Sequence, residues 1–470
     1  MKSKYTSLAK DTVIFSIGKF GSRLILFFLV PLYTNYLSQS EYGTADLVFT
    51  ISQLLIPVFS IVIFDGVIRF GLSKNEKKEN VLLNAVIILL FTVLLSIISV
   101  PLLGLYKAVA DWRWFLVALI VLTVAMNIDM NYLKVKGFNI KYSLTSIIQT
   151  IVLASLNVLF LVKFSMGVKG YLLATTLSYL SAVVLSVVFG GVIKDLRNAE
   201  FKPSLFKEML VYSAPLIINN ISWWVIQSSD KLMLEAMISA AALGLYTAAA
   251  KIPSLINVLI SIFQQAWGIS SIKEVEDSTD LTFFSNIFSV FTTGVFLCCL
   301  LVNAIAKPFM SVYVGAEFAE SWKFVPILVA SAGFSAVSAY YGSIYGAIKK
   351  SMNNMLTTLC AALVNIVINY IFIKLVGIWG AMIGTIVSYV LISALRMIDI
   401  HRYVPFHVDV RIYILNAIIV IAHAILISCD FHVYITSVVF IILFALINKR
   451  TIVQILRKVA TLLKGRRGNA

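Results

Sequence analysis

The sequence predicts an all-α polytopic membrane protein with about 14 transmembrane helices. Apolar residues form 60% of its 470 residues and charged residues only 13%, whereas soluble domains average roughly 45–50% and about 25%. The mean hydropathy of +0.95 leaves too few polar side chains to cover a water-soluble globule. One spanning helix needs roughly 20 apolar residues, so the chain accommodates about fourteen helices and leaves no room for a sizeable soluble domain.

Apolar runs and the polar residues between them place the predicted helices in chain order. The first run follows a basic N-terminus and continues past Asp11 without a small-residue cleavage site, so we interpret it as a retained helix rather than a signal peptide. The predicted helices are 11–37, 42–70, 80–105, 112–133, 141–164, 168–193, 208–235, 241–271, 283–306, 322–348, 353–375, 378–400, 411–429 and 432–448.

The distribution of Lys and Arg predicts the orientation of these helices. The N-terminus and the alternate connections on its side hold 27 of these residues, including seven in the tail after Asn448, and the opposite connections hold eight. Cytoplasmic loops of membrane proteins are enriched in Lys and Arg. An even number of helices places both termini on the same side, so we expect both termini in the cytoplasm.

Two pairs of similar segments indicate an internal repeat. A Gly-x-x-Gly pattern followed by Thr, Ser and Tyr occupies 167–179 and returns at 377–389, and a weaker match relates the turn at 37–43 to the turn at 238–244. Six helices per half is an even number, so the halves have the same orientation and are related by an axis along the membrane normal. The predicted organisation is an N-terminal lobe of helices 1–6 over 1–200, a C-terminal lobe of helices 7–12 over 201–402, and helices 13–14 with a basic cytoplasmic tail over 403–470.

Three basic residues are predicted inside the membrane. Lys19 and Arg23 lie roughly 12 and 18 Å into the first helix on one face, and Lys251 lies roughly 15 Å from the outer end of the eighth helix. An ionisable group in a bilayer costs roughly 3 kcal/mol on insertion scales, so such groups usually face a cavity or a partner. We interpret the three cations as the binding site of an anionic ligand.

A purely structural role is the alternative for these cations. They would then pair with Asp46 or Asp65 of the second helix, or with Asp230 of the seventh. Asp46 is predicted near the outer surface and Asp65 near the inner one, which leaves the cations at mid-depth without an acidic neighbour at their own level. The repeat also aligns Thr50 with Lys251, so the scaffold does not itself require a charge there. An anionic ligand therefore explains the cations better.

Polar side chains at helical spacing predict the lining of a cavity. They form one stripe on the second helix and one on the seventh, and amides on the eighth and eleventh helices extend them. Each amide is more often an interhelical hydrogen-bonding group than a ligand, although the set, together with Tyr340, Tyr341 and Tyr345, resembles a sugar-binding lining. The predicted lining residues are Asp46, Thr50, Gln53, Asn220, Trp223, Gln227, Asp230, Gln264 and Asn365.

No catalytic or metal-binding pattern is recognisable in the sequence. It contains no P-loop, HExxH or GxSxG motif, its four cysteines lack ligand spacing, and its four histidines do not converge. We therefore expect a protein that is not an enzyme and that holds no cofactor. The coupling ion, H⁺ or Na⁺, stays open.

The chain resembles the oligosaccharide flippases of polysaccharide biosynthesis, within the multidrug/oligosaccharidyl-lipid/polysaccharide exporter superfamily. The resemblance covers essentially all of the chain and rests on the helix count, the paired Gly-x-x-Gly segments and three local motifs. These motifs are the segment from Lys10-Asp11-Thr12 to Pro31-Leu32-Tyr33, the Leu37-Ser38-x-x-x-Tyr42-Gly43 turn and the Lys251-Ile252-Pro253 element. The resemblance implies two six-helix lobes around a cationic cavity, in which Lys19, Arg23 and Lys251 face a pyrophosphate.

The activity that this resemblance implies is transport of polyprenyl-pyrophosphate-linked oligosaccharide repeat units. They would move from the cytoplasmic to the outer leaflet of a bacterial inner membrane by alternating access, for O-antigen, capsule or exopolysaccharide. Partners would be the lipid-linked oligosaccharide, the bilayer, and the polymerase and glycosyltransferases of the same pathway, with no nucleic acid. Two alternatives stay open. A cation-coupled multidrug exporter should centre on a mid-membrane carboxylate, and a polytopic polysaccharide-polymerising enzyme should carry a large external catalytic loop.

Overall fold

Helices form every regular element in the part of the chain that the computed structural model describes, which is residues 25–73, 76–277 and 281–454. Eleven of these helices are long and apolar enough to cross a membrane, or twelve if the bent pair over 240–264 counts as one span. The prediction of an all-α multi-pass membrane protein is confirmed. The count of fourteen stays a prediction, because the apolar helices described at Ile25–Tyr36 and Val433–Ile447 are shorter than a full span.

The chain divides into two compact units, Met1–Thr247 and Ala248–Ala470. The helices of the first unit are α1 (Ile25–Tyr36), α2 (Gln39–Ser60), α3 (Ile63–Gly71), α4 (Lys78–Ile98), α5 (Val100–Leu103), α6 (Arg113–Val135), α7 (Asn139–Asn157), α8 (Gly167–Gly190), α9 (Val192–Arg197), α10 (Pro203–Met237) and most of α11 (Ala240–Ala249). A 3-10 turn at Ala110–Trp112 precedes α6, and a π-helical turn at Val158–Lys163 extends α7. The division predicted from the repeat, at residue 200, concerns which helices move together and stays a prediction.

A break separates α2 from α3, where the sequence predicts one helix over 42–70. Ile61 and Val62 both adopt the left-handed conformation, with φ of 52° and 53°, which is unusual for β-branched residues. Side chains from neighbouring helices form hydrogen bonds with backbone carbonyls on both sides of the break. The Thr92 hydroxyl donates to the Phe59 carbonyl at 3.0 Å, and the Asn131 amide donates to the Phe64 carbonyl at 2.8 Å. The prediction of one continuous helix is therefore wrong at this break, which tertiary hydrogen bonds stabilise.

The two turns that the repeat relates pack directly against each other in the first unit. Ser38 and Ser239 each cap the helix that follows, through the backbone N–H groups of Glu41 and Ala242 respectively. A Cβ atom added at Gly43 would overlap the backbone of the second turn, and one added at Gly244 would overlap the backbone of the first. The similarity between 37–43 and 238–244 therefore corresponds to equivalent local structures in mutual contact.

The helices of the second unit surround α14. They are α12 (Lys251–Asp277), α13 (Leu281–Tyr313), α14 (Val325–Ala347), α15 (Ser351–Val376), α16 (Ile378–His401), α17 (Val410–Ser428) and α18 (Val433–Ile447), and a 3-10 helix at Ala316–Phe324 precedes α14. Nearly every side chain of α14 is buried, because the helix contacts α12, α13, α15, α16 and α17. Tyr340, Tyr341 and Tyr345 lie on this helix and are fully buried. The three tyrosines thus expose no surface to a cavity in this structure, and their place in a sugar-binding lining stays a prediction.

Small residues allow α15 and α16 to pack closely. A Cβ atom added at Gly380 would overlap the backbone of Phe372 and Ile373, and one added at Gly384 would overlap the side chain of Asn369. Small residues at helix contacts bring backbones together in membrane proteins. Gly380 of the repeated segment, together with Gly384, thus serves helix packing in the second unit.

Candidate functional site

The structure describes one of the three predicted cations, Lys251. Lys19 and Arg23 lie outside the described residues. Lys251 is the first residue of α12 and is half-buried, and α12 is bent by 45° relative to α11 at this point. The bend places an ammonium group at a helix junction instead of in the middle of the continuous helix that the sequence predicts over 241–271.

Most of the predicted lining residues of the first unit lie along α2 and α10. Asp46 and Thr50 are buried and Gln53 is half-buried on α2, whereas Asn220 and Trp223 are half-buried and Gln227 is exposed on α10. The Trp224 indole, next to this stripe, donates to the Thr50 carbonyl at 3.1 Å. The two predicted stripes are therefore on helices in direct contact.

Five side chains form an interaction cluster that joins α2, α10 and α11, which we call the outer polar cluster: Asp46, Asp230, Lys231, Tyr246 and Thr247. The Lys231 ammonium lies 2.8 Å from the Asp46 carboxylate, to which the Thr247 hydroxyl also donates at 3.1 Å. The Tyr246 hydroxyl donates to the Asp230 carboxylate. Charged groups at this depth are thus neutralised or hydrogen-bonded within the protein, as burial requires.

The outer polar cluster lies near the helix ends that are predicted to face outward. Asp46 is seven residues from the start of α2 and Asp230 is seven residues from the end of α10, which is about 10 Å along each helix. Closer to the same end of α10, Glu235 accepts a hydrogen bond from the Tyr106 hydroxyl in the connection after α5. These contacts hold the ends of α2, α10 and α11 together.

Two further predicted lining residues belong to the second unit. Gln264 is half-buried on α12, and Asn365 is fully buried on α15, where its side-chain oxygen accepts from the Asn369 amide at 3.0 Å. Asn365 is therefore engaged in an amide pair along its own helix. The structure brings Asp46 and Asp230 into one cluster, and it places Gln264 and Asn365 on different helices.

Sequence reasoning missed three charged residues. Lys231 follows Asp230 directly, but adjacent residues of a helix do not face each other, so its ammonium pairs with Asp46 of α2 instead. Asp129 on α6 and Arg396 on α16 are 6% and 1% exposed. Each interrupts an apolar run, which is the signal that identified Lys19 and Arg23.

The described residues contain no group of three or more His, Cys, Asp or Glu side chains placed to hold a metal ion. The chemistry that the described charges offer is electrostatic: ammonium, guanidinium and carboxylate groups at membrane depth, with hydroxyl and amide donors beside them. Such groups bind and release charged ligands, and they change partners when helices move.

The chain is similar in sequence to curated bacterial membrane proteins. A Haemophilus influenzae protein described as an uncharacterized membrane protein is 24% identical over 267 residues, which is 55% of this chain and 64% of the relative. The match therefore spans less than two thirds of the relative's length.

The fold is similar to that of solved transporters. A structure of the lipid II flippase MurJ in an inward closed conformation matches with a TM-score of 0.67 and 15% identity, over 94% of this chain and 99% of MurJ. A MOP superfamily transporter from Pyrococcus furiosus, described as having a binding pocket of reverse polarity, matches with a TM-score of 0.63 and 16% identity, over 84% of this chain and 96% of that one. The chain therefore shares the fold of these two proteins.

A match to a family model identifies the family of this chain. The model of the family described as polysaccharide biosynthesis protein matches residues 8–267, which is more than half of the chain. The two solved structures that share the fold are described as a flippase and a transporter. The chain thus belongs to the polysaccharide biosynthesis protein family and is a multi-pass membrane protein whose fold is similar to that of MurJ.

Proposed function

We propose that the protein is a flippase that moves polyprenyl-pyrophosphate-linked oligosaccharide units from the cytoplasmic to the outer leaflet of a bacterial cytoplasmic membrane, for cell-surface polysaccharide. The observation that carries the proposal is the family match over 8–267, which includes all three predicted cations, Lys19, Arg23 and Lys251. Family membership supports a role in polysaccharide biosynthesis, and the three cations support binding of a pyrophosphate headgroup. The proposed partners are the lipid-linked oligosaccharide and the enzymes that make and polymerise it.

The pyrophosphate explains why basic residues suit this transport. Bare phosphates do not enter a low-dielectric passage, so protein cations must first neutralise them. A pyrophosphate headgroup carries about two negative charges, and an inside-negative potential favours outward movement by roughly 2.3 kcal/mol per charge per 100 mV. The membrane potential thus contributes to export of an anionic headgroup. The coupling ion stays open.

The contacts at the predicted outer ends fit alternating access. The Lys231–Asp46 ion pair and the Tyr106–Glu235 hydrogen bond join α10 to elements of the first six predicted helices. If α10 moves with the second lobe, as the repeat predicts, both contacts separate when the outer side opens. We infer that they stabilise a state in which these helix ends are closed.

The proposal is tested in proteoliposomes with a defined undecaprenyl-pyrophosphate oligosaccharide whose transfer between leaflets is measured. Lys251→Gln and Arg23→Ala should each lower the rate by at least about tenfold, which is a loss of about 1.4 kcal/mol. Arg23→Lys should retain more activity than Arg23→Ala, because the charge survives although the bidentate fork is lost. Lys374→Gln serves as the matched control, since this cation is exposed and contacts the Tyr370 hydroxyl at 2.5 Å. Unchanged transfer in both neutral variants would reject the cationic site.

Localisation and orientation are tested by reporter fusions. Fusions near Asn75, Lys202 and Ala470 should report a cytoplasmic location, and fusions near Ser40 and Glu317 should report an outer one, because Lys and Arg are enriched on the first side. An outer location of the C-terminal fusion would contradict the fourteen-helix topology.

A cation-coupled drug exporter is the second candidate. Asp129 favours it, because this carboxylate is buried in α6, six residues or about 9 Å from the helix end. A buried carboxylate inside a membrane span is a suitable site for a proton or Na⁺. The sign of the charge that binds the substrate separates the two functions.

A further inference from the structure

A cleft of about 300 Å³ opens between the ends of α15 and α16 that are predicted to face the cytoplasm. Four of its lining residues are polar or charged: Asn353 and Thr357 from α15, Asp399 from α16, and Arg402 just beyond α16. The remaining walls are leucine and isoleucine side chains. The cleft therefore combines a charged end with an apolar end, and the proposed transport does not use it.

The charged end contains one carboxylate and one exposed guanidinium. The Asp399 carboxylate accepts hydrogen bonds from Asn353 at 2.8 Å and from Tyr345 at 2.7 Å, which fix its position. The Arg402 guanidinium lies 4.0 Å from the same carboxylate, and its side chain is 72% exposed. The guanidinium thus has donors that reach a molecule seated in the cleft.

A second, buried cation stands behind the wall of the cleft. Arg396 is 1% exposed, and its guanidinium donates to the hydroxyl of Thr357, a lining residue, at 3.3 Å. It also donates to the oxygens of Ser338 at 2.9 and 3.1 Å and to the Thr358 hydroxyl at 2.9 Å. A charge acts more strongly in a low-dielectric interior than in water. The Thr357 hydroxyl thus links the wall of the cleft to this buried guanidinium.

The apolar end lies deeper along the helices. Leu356 is five residues from the start of α15 and Leu395 is six residues from the end of α16, which is about 8–9 Å, whereas Asn353 and Asp399 are about 3 Å from those ends. Leu356 is 53% exposed and Leu395 is half-buried. The two leucines and the Thr357 hydroxyl therefore lie below the charged groups, so that an acyl chain can follow the leucines when a headgroup contacts the helix ends.

We propose that this cleft binds a phospholipid with a zwitterionic, primary-ammonium headgroup, of the phosphatidylethanolamine class, in the inner leaflet. The phosphate lies toward Arg402, the ammonium lies toward Asp399, and an acyl chain follows Leu356 and Leu395. A purely anionic headgroup offers no cation to the carboxylate. A choline headgroup has a cation without N–H donors, so it forms no hydrogen bond with Asp399.

The test measures the thermal stability of the delipidated full-length protein in detergent with added phosphatidylethanolamine, phosphatidylcholine or phosphatidylglycerol of identical acyl chains. Phosphatidylethanolamine should raise the melting temperature most, because a ligand that binds the folded state stabilises it. Arg402→Gln should lose most of this increment, and Asp399→Asn should lose the preference for ethanolamine over choline. Arg411→Gln should behave like the wild type, since Arg411 is an exposed cation of α17 outside the cleft.

Native mass spectrometry of the same samples provides a readout that does not depend on stability. One retained phosphatidylethanolamine is expected in the wild type and in Arg411→Gln, and at least tenfold lower occupancy is expected in Arg402→Gln. Equal effects of the three lipids, a larger effect of phosphatidylglycerol, or unchanged lipid retention in Arg402→Gln would each overturn the proposal.

Discussion

Gly43 and Gly244 occupy equivalent positions of two repeated turns, and each lies against the backbone of the other turn. A Cβ atom at Gly43 would overlap the Ala240 carbonyl, and one at Gly244 would overlap the Gln39 carbonyl. Both the two glycines and the two carbonyl residues are 201 positions apart in the sequence. The contact is therefore reciprocal, as expected of two equivalent segments that meet across a local two-fold axis.

This relationship predicts that alanine is not tolerated at either glycine. Gly43→Ala and Gly244→Ala should each destabilise the protein by at least the roughly 1–3 kcal/mol that overpacking usually costs, because the obstructing atoms are backbone rather than flexible side chain. Gly294→Ala is the control: this helical glycine has no neighbour within 4 Å of an added Cβ. Thermal unfolding in detergent should show lower melting temperatures for the first two variants alone. Three indistinguishable variants would contradict the close contact.

A second prediction concerns the ion pair between Asp46 and Lys231. Removing one partner of a buried pair costs about 3–5 kcal/mol because a charge is left without its counter-charge. The loss of folding stability should be somewhat smaller for this pair, since the Lys231 side chain is 18% exposed. Asp46→Asn and Lys231→Met should each be clearly destabilising, and the double variant should be more stable than the sum of the single losses predicts.

The exposed pair between Lys307 and Asp430 is the matched control for this cycle. Its ammonium lies 2.6 Å from the carboxylate, and both side chains are at least 40% exposed. Exposed pairs contribute about 0–1 kcal/mol, so Lys307→Met should change stability little. Chemical or thermal unfolding measures all variants. Additive losses in the Asp46 and Lys231 cycle would show that the two groups do not depend on each other.

A third prediction concerns pH and the Asp195 carboxylate, which lies between α9 and the end of α6. Burial raises the pKa of Asp195, but hydrogen bonds from Lys136 at 2.6 Å and Tyr132 at 2.7 Å outweigh burial, so its pKa lies below the usual value. A carboxylate whose folded pKa is lowered contributes stability that is complete above the unfolded pKa of about 4 and disappears as pH falls through the folded value.

Asp195→Asn should therefore lower the melting temperature between pH 5 and 7, and the difference from wild type should shrink as the pH falls below 4. Asp111→Asn is the control, because Asp111 is exposed at the opposite end of α6. Melting curves over this pH range provide the measurement. A difference for Asp195→Asn that stays constant down to pH 3 would exclude the ion pair as its cause.

The sequence predicts the fold class well because hydropathy reports directly on the membrane environment. Each described helix coincides with a predicted apolar run or lies within one of the predicted connections. The similarity of 238–244 to 37–43 also predicts the second turn. The break at Ile61–Val62 could not be predicted, because hydrogen bonds from Thr92 and Asn131 stabilise it and both donors are distant in sequence. Local patterns carry no information about such tertiary partners.

The candidate site is harder to predict than the fold for a related reason. Helical spacing singled out Asp46 and Asp230, and the structure places both in one cluster. Their partners Lys231, Tyr246 and Thr247 fall outside the stripe on α10 or on a different helix, so spacing along one helix could not find them. Periodicity identifies which face of a helix is polar, whereas pairing depends on how the helices pack.

The last prediction separates the flippase from the drug exporter through the sign of the charge that meets the substrate. In an anion-binding cavity, neutralising Lys19 and Arg23 together should weaken binding of a polyprenyl-pyrophosphate oligosaccharide, because two cations in a partly desolvated site attract the headgroup strongly. In a pump for cationic drugs the same change should relieve repulsion and leave dye efflux intact or improved.

Lipid-linked sugar binding and cationic-dye efflux are therefore measured on the same Lys19→Ala, Arg23→Ala double variant, with Asp129→Asn as the complementary variant. Loss of sugar-lipid binding in the double variant, without dye efflux in the wild type, is the result expected of a flippase. Unchanged sugar-lipid binding together with robust dye efflux that Asp129→Asn abolishes would instead establish a cation-coupled exporter, because substrate recognition would then rest on the carboxylate and not on the two cations.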